Sequence, residues 1–335
     1  MLWGWRWWRE IVKAVDDFKP PFPYYGGKSA IAHIIWQALG DVKNYVEPFF
    51  GSGAVLFLRP HAPHIETIND ADGMVANFWR ALQRDPGGVA EWADWIVSEV
   101  DLHARHLWLI GQRDALTERL CADPDFYDTK AAGWWLWGIC IWIGGGWCSG
   151  EGPWTVGETG LLVKGDAGKG IKRQLPHLGS AGQGECELRR EWLLDYLSSF
   201  ADRLRNVRVC CGDWSRVCGP SVTFQHGLTG VFLDPPYSVG AGRDPNLYAV
   251  DNLSVAHAAR KWAIEMGERR DMRIILAGYE GEHEMPDNWQ IHQWETNGGY
   301  ANQGRGRGKE NSKRERLWLS PHCPKLSRPK QINLF

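Results

Sequence analysis

Residues 44–70 constrain the fold more than any other stretch of this chain. Asn44-Tyr45-Val46-Glu47-Pro48 reads as a strand and Phe49-Phe50-Gly51-Ser52-Gly53 as a glycine turn. Residues 54–58 form a helical run, and residues 64–69 a second short strand ending at Asp70. Strand, glycine turn, helix, strand and acid, in that order, open a parallel α/β sheet. Glycines in such a turn let the backbone approach a ligand, and the helix start that follows presents free N–H groups. An acid closing the second strand sits where ribose hydroxyls are bound in dinucleotide folds. Taken singly the turn is a common one, and a lone Asp70 is more often a helix cap.

The same logic returns later in the chain. Residues 29–39 are helical, with Ile31, Ile34, Ile35, Ala38 and Leu39 on one side, and residues 74–83 are helical again. Residues 191–204 read as a helix, 207–212 and 231–233 as strands, 255–269 as a helix and 273–277 as a strand. Residues 289–295 and 316–320 look like a closing hairpin. Between them, from the break at 85–88 to about 183, the chain changes character. Trp-rich helices give way to a Gly-rich segment carrying Lys164, Lys169, Lys172 and Arg173, where a second domain is expected.

Asp234-Pro235-Pro236-Tyr237 follows the apolar run Val231-Phe232-Leu233 and precedes a Gly-rich loop. Two prolines fix φ and remove two backbone donors, so the turn offers carbonyl acceptors only. Asp234 adds a further acceptor and Tyr237 a flat face. Together they suit a planar ring with an exocyclic NH2, such as an adenine turned out of a duplex. Asp213, after the strand at 207–212, is another strand-end acid, with a plain turn residue as the ordinary alternative. Gly26-Gly27-Lys28-Ser29 is not a phosphate loop. Phe22 stands where that motif needs glycine, and Pro20-Pro21-Phe22-Pro23 stands where it needs a strand.

A formal net charge of −2 over 335 residues excludes a protein coated in basic surface, so contacts to nucleic acid must come from local patches. The 8 Cys include no Cys-x-x-Cys pair, which predicts reduced thiols in a cytoplasmic protein without a metal site. Cys210 and Cys211 are adjacent in a strand and should face opposite ways. The 21 Trp exceed the usual share, and some of them could stack on bases. Residues 1–19 carry Trp3, Trp5, Trp7 and Trp8 among charges and lack the pattern of a signal peptide. The uncharged run 131–148 is interrupted by Gly144-Gly145-Gly146, which predicts a buried helix and a loop rather than a membrane span.

Tyr24-Tyr25-Gly26-Gly27-Lys28, Glu47-Pro48-Phe49-Phe50-Gly51-Ser52-Gly53, Asn69-Asp70, Gly212-Asp213-Trp214 and Asp234-Pro235-Pro236-Tyr237 occur in the order found in Dam-like DNA adenine-N6 methyltransferases. The resemblance covers roughly residues 20–84 and 191–320. It implies a Rossmann-like methyltransferase fold with an inserted, mainly helical target-recognition domain. The expected division is an N-terminal extension at 1–19, the catalytic domain at 20–84 and 191–325, the recognition domain at 85–190 and a tail at 326–335. It also implies S-adenosylmethionine as cofactor, held by Tyr24, Lys28, Phe49, Phe50, Gly51 and Gly53, with Asp70 on the ribose and Asp213 on the cofactor's adenine. Asp234, Pro235, Pro236 and Tyr237 become the catalytic turn, and double-stranded DNA the partner of a monomeric enzyme. The family more often has Trp where this chain has Tyr24. A cytosine-N4 methyltransferase would commonly have Ser in place of Asp234, and a catalytically silent DNA-binding relative is the other alternative. Restriction–modification, epigenetic marking and evasion of a host by a phage are equally open at this point.

Arg305, Arg307 and Lys309, interleaved with Gly304, Gly306 and Gly308, form the densest basic run, and the strand at 289–295 should deliver them beside the catalytic turn. A flexible basic loop suits phosphate contacts rather than base reading. Replacing Arg305 and Arg307 by Ala should weaken DNA binding and flatten its log–log salt dependence by about 0.9 per lost phosphate contact. The methylated sequence should not change. An unchanged slope in a salt titration would make the loop ordinary solvated surface.

Overall fold

The computed structural model describes residues 20–24, 26–142, 147–148, 154–156, 159, 162–164, 186–237, 254–294 and 314–326. The basic run at 305–309, the Trp-rich residues 1–19 and the loop after Tyr237 lie outside the described residues.

Seven strands form one sheet: β1 (Asn44–Glu47), β2 (Ile65–Asp70), β5 (Val207–Cys211), β6 (Thr229–Leu233), β7 (Met272–Tyr279), β8 (Gln290–Gln293) and β9 (Glu315–Leu319). Their order is β5-β2-β1-β6-β7-β9-β8. All neighbours pair in parallel through β7, while β9 is antiparallel to both β7 and β8. Strand β8 therefore runs the same way as the parallel set, as the sequence reading expected. Counted along the sheet, this is the doubly wound order with one antiparallel strand inserted near an edge. The direction of winding reverses between β1 and β6, which opens a crevice beyond their carboxyl ends.

Alternation along the strands feeds two cores. Tyr45, Phe232, Ile275 and Ala277 face one layer, and Val46, Val231, Leu233, Ile274 and Leu276 face the other. Helix α1 (Ala32–Leu39) and helix α3 (Gly73–Arg84) cover the first face, with α2 (Ala54–Phe57) a single turn between them. Helix α8 (Val255–Gly267) covers the second. Cys211 joins the first core while Cys210 packs toward the second, the opposite facing expected of neighbours in a strand.

The break at residues 85–88 is a helix-to-helix turn. Asp85 ends α3, and its side chain accepts the Gly88 N–H at 2.8 Å to start α4 (Pro86–Ala93). Helix α4, α5 (Glu99–Ala122) and α6 (Thr129–Ile141) fold back on α3. Val89, Ala90, Trp135 and Leu136 share one continuous core with Phe78 and Trp79. Helices α4, α5 and α6 thus pack apolar faces onto α3 and join the core of the first layer. Beyond them lie the hairpin β3 (Trp154–Val156) and β4 (Leu162–Lys164), then α7 (Cys186–Leu204), which returns the chain to β5. Much of the tryptophan is structural: Trp36, Trp79, Trp135 and Trp137 are among the largest fully buried side chains. Among the described residues no helix is long and apolar enough to cross a membrane.

One buried ion cluster ties the first layer together. Glu66 on β2 accepts from Arg59 at 2.9 Å and from both Arg203 nitrogens at 2.7 and 2.8 Å. The arginines also cap the carbonyls of Val42 and Leu56. Glu66 and Arg59 are almost fully buried. Removing the carboxylate strips the buried Arg59 of its close partner and leaves it only the long 3.8 Å pairing with exposed Asp41. Glu66→Ala should therefore cost about 3–5 kcal/mol in chemical denaturation; a loss below about 1 kcal/mol would show that the cluster is solvated like a surface pair.

Candidate active site

The carboxyl ends of β5, β2, β1 and β6 surround a cleft of about 310 Å³. Of the residues singled out from the sequence, Tyr24, Lys28, Phe49, Phe50, Gly51, Asp70, Asp213, Asp234 and Pro236 line it. They are drawn together from five segments spread along the chain.

The floor begins at Asn69-Asp70. The Asn69 amide donates to the carbonyl of Pro48 at 3.1 Å and of Gly212 at 2.9 Å, clasping the ends of β1 and β5 to β2. Its Oδ1 is buried without a donor among the described residues. Asp70 accepts from the N–H of Gly51 at 2.9 Å and of Asp72 at 2.9 Å. The Ala71 N–H also bonds this carboxyl, which leaves only part of its acceptor capacity for a ligand hydroxyl. Asp213 caps the short 3-10 turn Trp214–Val217 through the Ser215 N–H and hydroxyl, and it is exposed at the cleft. The helix cap is Asp72, which accepts the Met74 N–H at 2.9 Å, so Asp70 is not the cap of its ordinary reading, whereas Asp213 is the turn residue of its own; both Asp70 and Asp213 remain on the lining.

The glycine turn takes its shape from the rings around it. Gly51 has φ +49°, and a Cβ there would lie 2.5 Å from the Tyr24 ring. At Gly53, φ +71°, a Cβ would overlap Phe50 and Phe57. The Trp79 indole donates to the Gly51 carbonyl at 2.8 Å. Phe49 stacks on Trp214 at 5.9 Å to make an aromatic wall. Phe50 behaves otherwise than expected. It borders the cleft, but its ring is buried against Trp79 and Phe57, so it anchors the turn to the core.

At the mouth, β6 ends in Asp234-Pro235-Pro236-Tyr237. Lys28, expected among the cofactor contacts, is buried and ion-paired with Asp234 at 2.8 Å. Its ammonium also donates to the Gly26 carbonyl at 2.8 Å. Tyr237 is packed rather than offered as a free face. Its ring meets Tyr279 edge-on at 4.5 Å, and its hydroxyl lies 2.8 Å from Glu315 Oε2 and 3.3 Å from Asp234 Oδ1. A role in stacking on a base needs this ring to turn outward. Burial holds the Glu47 carboxyl well above the usual carboxylate range, with the Tyr45 hydroxyl bond opposing that rise and the Asp234 charge adding to it.

Glu315 was not legible as a site residue. It opens a strand read from the sequence as beginning at 316, inside a basic run where an acid suggests local pairing. Among the described residues, no cluster of three or more His, Cys, Asp or Glu could hold a metal ion.

Residues 24–106 match the family described as D12 class N6 adenine-specific DNA methyltransferase. A 77-residue segment, 23% of the chain, is 30% identical to a DNA N-6-adenine-methyltransferase of Escherichia phage P1. That segment corresponds to 10% of the phage protein's length. The matched family region contains the Tyr24, Lys28, Gly51 and Asp70 part of the cleft.

Burial, and secondarily repulsion from Asp72, raises the Asp70 carboxyl to about 7. A carboxyl with a raised folded pKa binds more protons when folded than when unfolded. Its contribution is thus present at low pH and is lost as pH rises from about 4 to about 7. Wild type should lose more stability over that window than the Asp70→Asn variant, read from denaturant midpoints at pH 4, 5.5 and 7. A stability gap that grows with pH instead would mean that Asp70 is a stabilised anion.

Proposed function

We propose that this chain is a DNA adenine methyltransferase that moves a methyl group from S-adenosylmethionine to N6 of an adenine extruded from double-stranded DNA. One observation carries this reading: an acceptor-only turn, Asp234-Pro235-Pro236, closes the mouth of a cleft whose floor is a glycine turn flanked by two strand-end acids.

The residues present fit the cofactor. Asp70 suits ribose hydroxyls and Asp213 an adenine amino group, Phe49 supplies a flat wall, and Asn69 Oδ1 is a buried acceptor in want of a donor. A volume of about 310 Å³ is of the size that small-molecule sites use. When bound, S-adenosylmethionine supplies an electrophilic methyl on a sulfonium.

The chain's own part is to present the amino group. The lone pair of an adenine N6 is delocalised into the ring. Accepting its two hydrogens at the Asp234 carboxylate and the Pro235 carbonyl favours a pyramidal nitrogen that can attack. Much of the rate then comes from alignment. Asp234 need not be a strong base, because N6 turns acidic only once methylated. Since Lys28 pairs with Asp234, the incoming amino group must share or displace that ammonium. Tyr237, turned outward, offsets part of the unstacking cost of an extruded base. Residues 85–190 are proposed to read the target sequence, and Arg305, Arg307 and Lys309 to bind phosphates.

Asp234→Ala should bring methyl transfer to background while S-adenosylmethionine still binds by calorimetry. Near-normal transfer by this variant would overturn the mechanism; loss of cofactor binding would move Asp234 into the cofactor site.

A further inference from the structure

The fold brings Glu315, at the start of β9, against the catalytic turn. It is 7% exposed, and its Oε2 accepts from the Tyr237 hydroxyl at 2.8 Å. The same hydroxyl stands 3.3 Å from Asp234 Oδ1, so two carboxylates compete for one phenolic proton. A phenol has a single proton to donate. The shorter bond, to a carboxylate fixed in the sheet by the pairing of β9 with β7, takes it. Burial raises the Glu315 carboxyl, and the Lys28 charge draws it back down. Lys28 therefore supports both carboxylates, pairing with Asp234 at 2.8 Å.

We infer that Glu315 is a positioning residue for the proposed methyl transfer: it holds the Tyr237 hydroxyl proton away from Asp234, so that Oδ1 stays free to accept from the substrate amino group. Without Glu315, the hydroxyl turns to Asp234 and occupies the acceptor that the reaction needs. The effect runs entirely through the hydroxyl, and this separates it from a general packing role. The inference rests on the methyltransferase reading above.

A double-mutant cycle tests it. Wild type, Glu315→Gln, Tyr237→Phe and the double variant are assayed for transfer of labelled methyl to unmethylated duplex DNA, with cofactor binding and melting curves run in parallel. Glu315→Gln should lower kcat about tenfold, the size of one hydrogen bond. Cofactor affinity should be unaltered. In the Tyr237→Phe background the same change should cost less than about twofold, because no hydroxyl is left to misdirect. Equal costs in the two backgrounds would overturn the inference and leave the methyltransferase reading standing. A wild-type chain that binds cofactor but methylates no DNA would sink both. Should the Gln variant fail to melt cooperatively, Glu315→Met, of similar length and without an acceptor, supports or overturns the inference by the same comparison.

Discussion

The Asn69 side chain is the joint on which the site depends. Its amide bridges the carbonyls that end β1 and β5, and the backbone on either side of it belongs to β2. Three parallel strands therefore stop in a fixed stagger, and Asp70, next in line, can reach the Gly51 N–H across the gap. The turn in turn accommodates the Tyr24 ring only because residue 51 has no Cβ. A single buried amide thus places the glycine turn, the acid after β2 and the turn that leads into Asp213. Buried amides carry this kind of constraint well, since a lost partner is costly away from water.

Charge is distributed around the cleft with unusual economy. Glu315 and Glu47 both feel the Asp234 charge at the catalytic turn, and the Lys28 ammonium pairs with Asp234 there. Burial pushes Glu47 toward the protonated acid, and at Glu315 the Lys28 charge opposes the same rise. Asp234, which touches the ammonium directly, is the group the cation serves first. In the proposed reaction the amino group meets an Asp234 whose Oδ2 is held by Lys28 and whose Oδ1 is left to accept it.

Much of this was readable in the sequence, and the reasons are physical. The segment from Asn44 to Asp70 alternates strand, glycine and acid because a backbone turn at a strand end admits few residue types, so its place in the sheet could be inferred. The direction of β8 followed from topology alone. Asp234-Pro235-Pro236-Tyr237 announced an acceptor-only turn through proline chemistry. What sequence could not show were pairings between distant segments. The Lys28–Asp234 ion pair joins residues that no local rule connects, and Tyr237 and Glu315 are 78 positions apart. The packing of the helices after residue 85 was another such pairing. Their Trp-rich composition suggested a separate unit, yet their apolar faces complete the core begun by Phe78 and Trp79.

The central claim is that this cleft and turn together methylate adenine at N6. Its most direct test is nucleoside analysis, by mass spectrometry, of unmethylated duplex DNA incubated with the purified chain and isotopically labelled S-adenosylmethionine. The account predicts label in N6-methyl-2′-deoxyadenosine and in no other nucleoside. Label in N4-methylcytosine, or binding of DNA and cofactor with no labelled nucleoside at all, would contradict it.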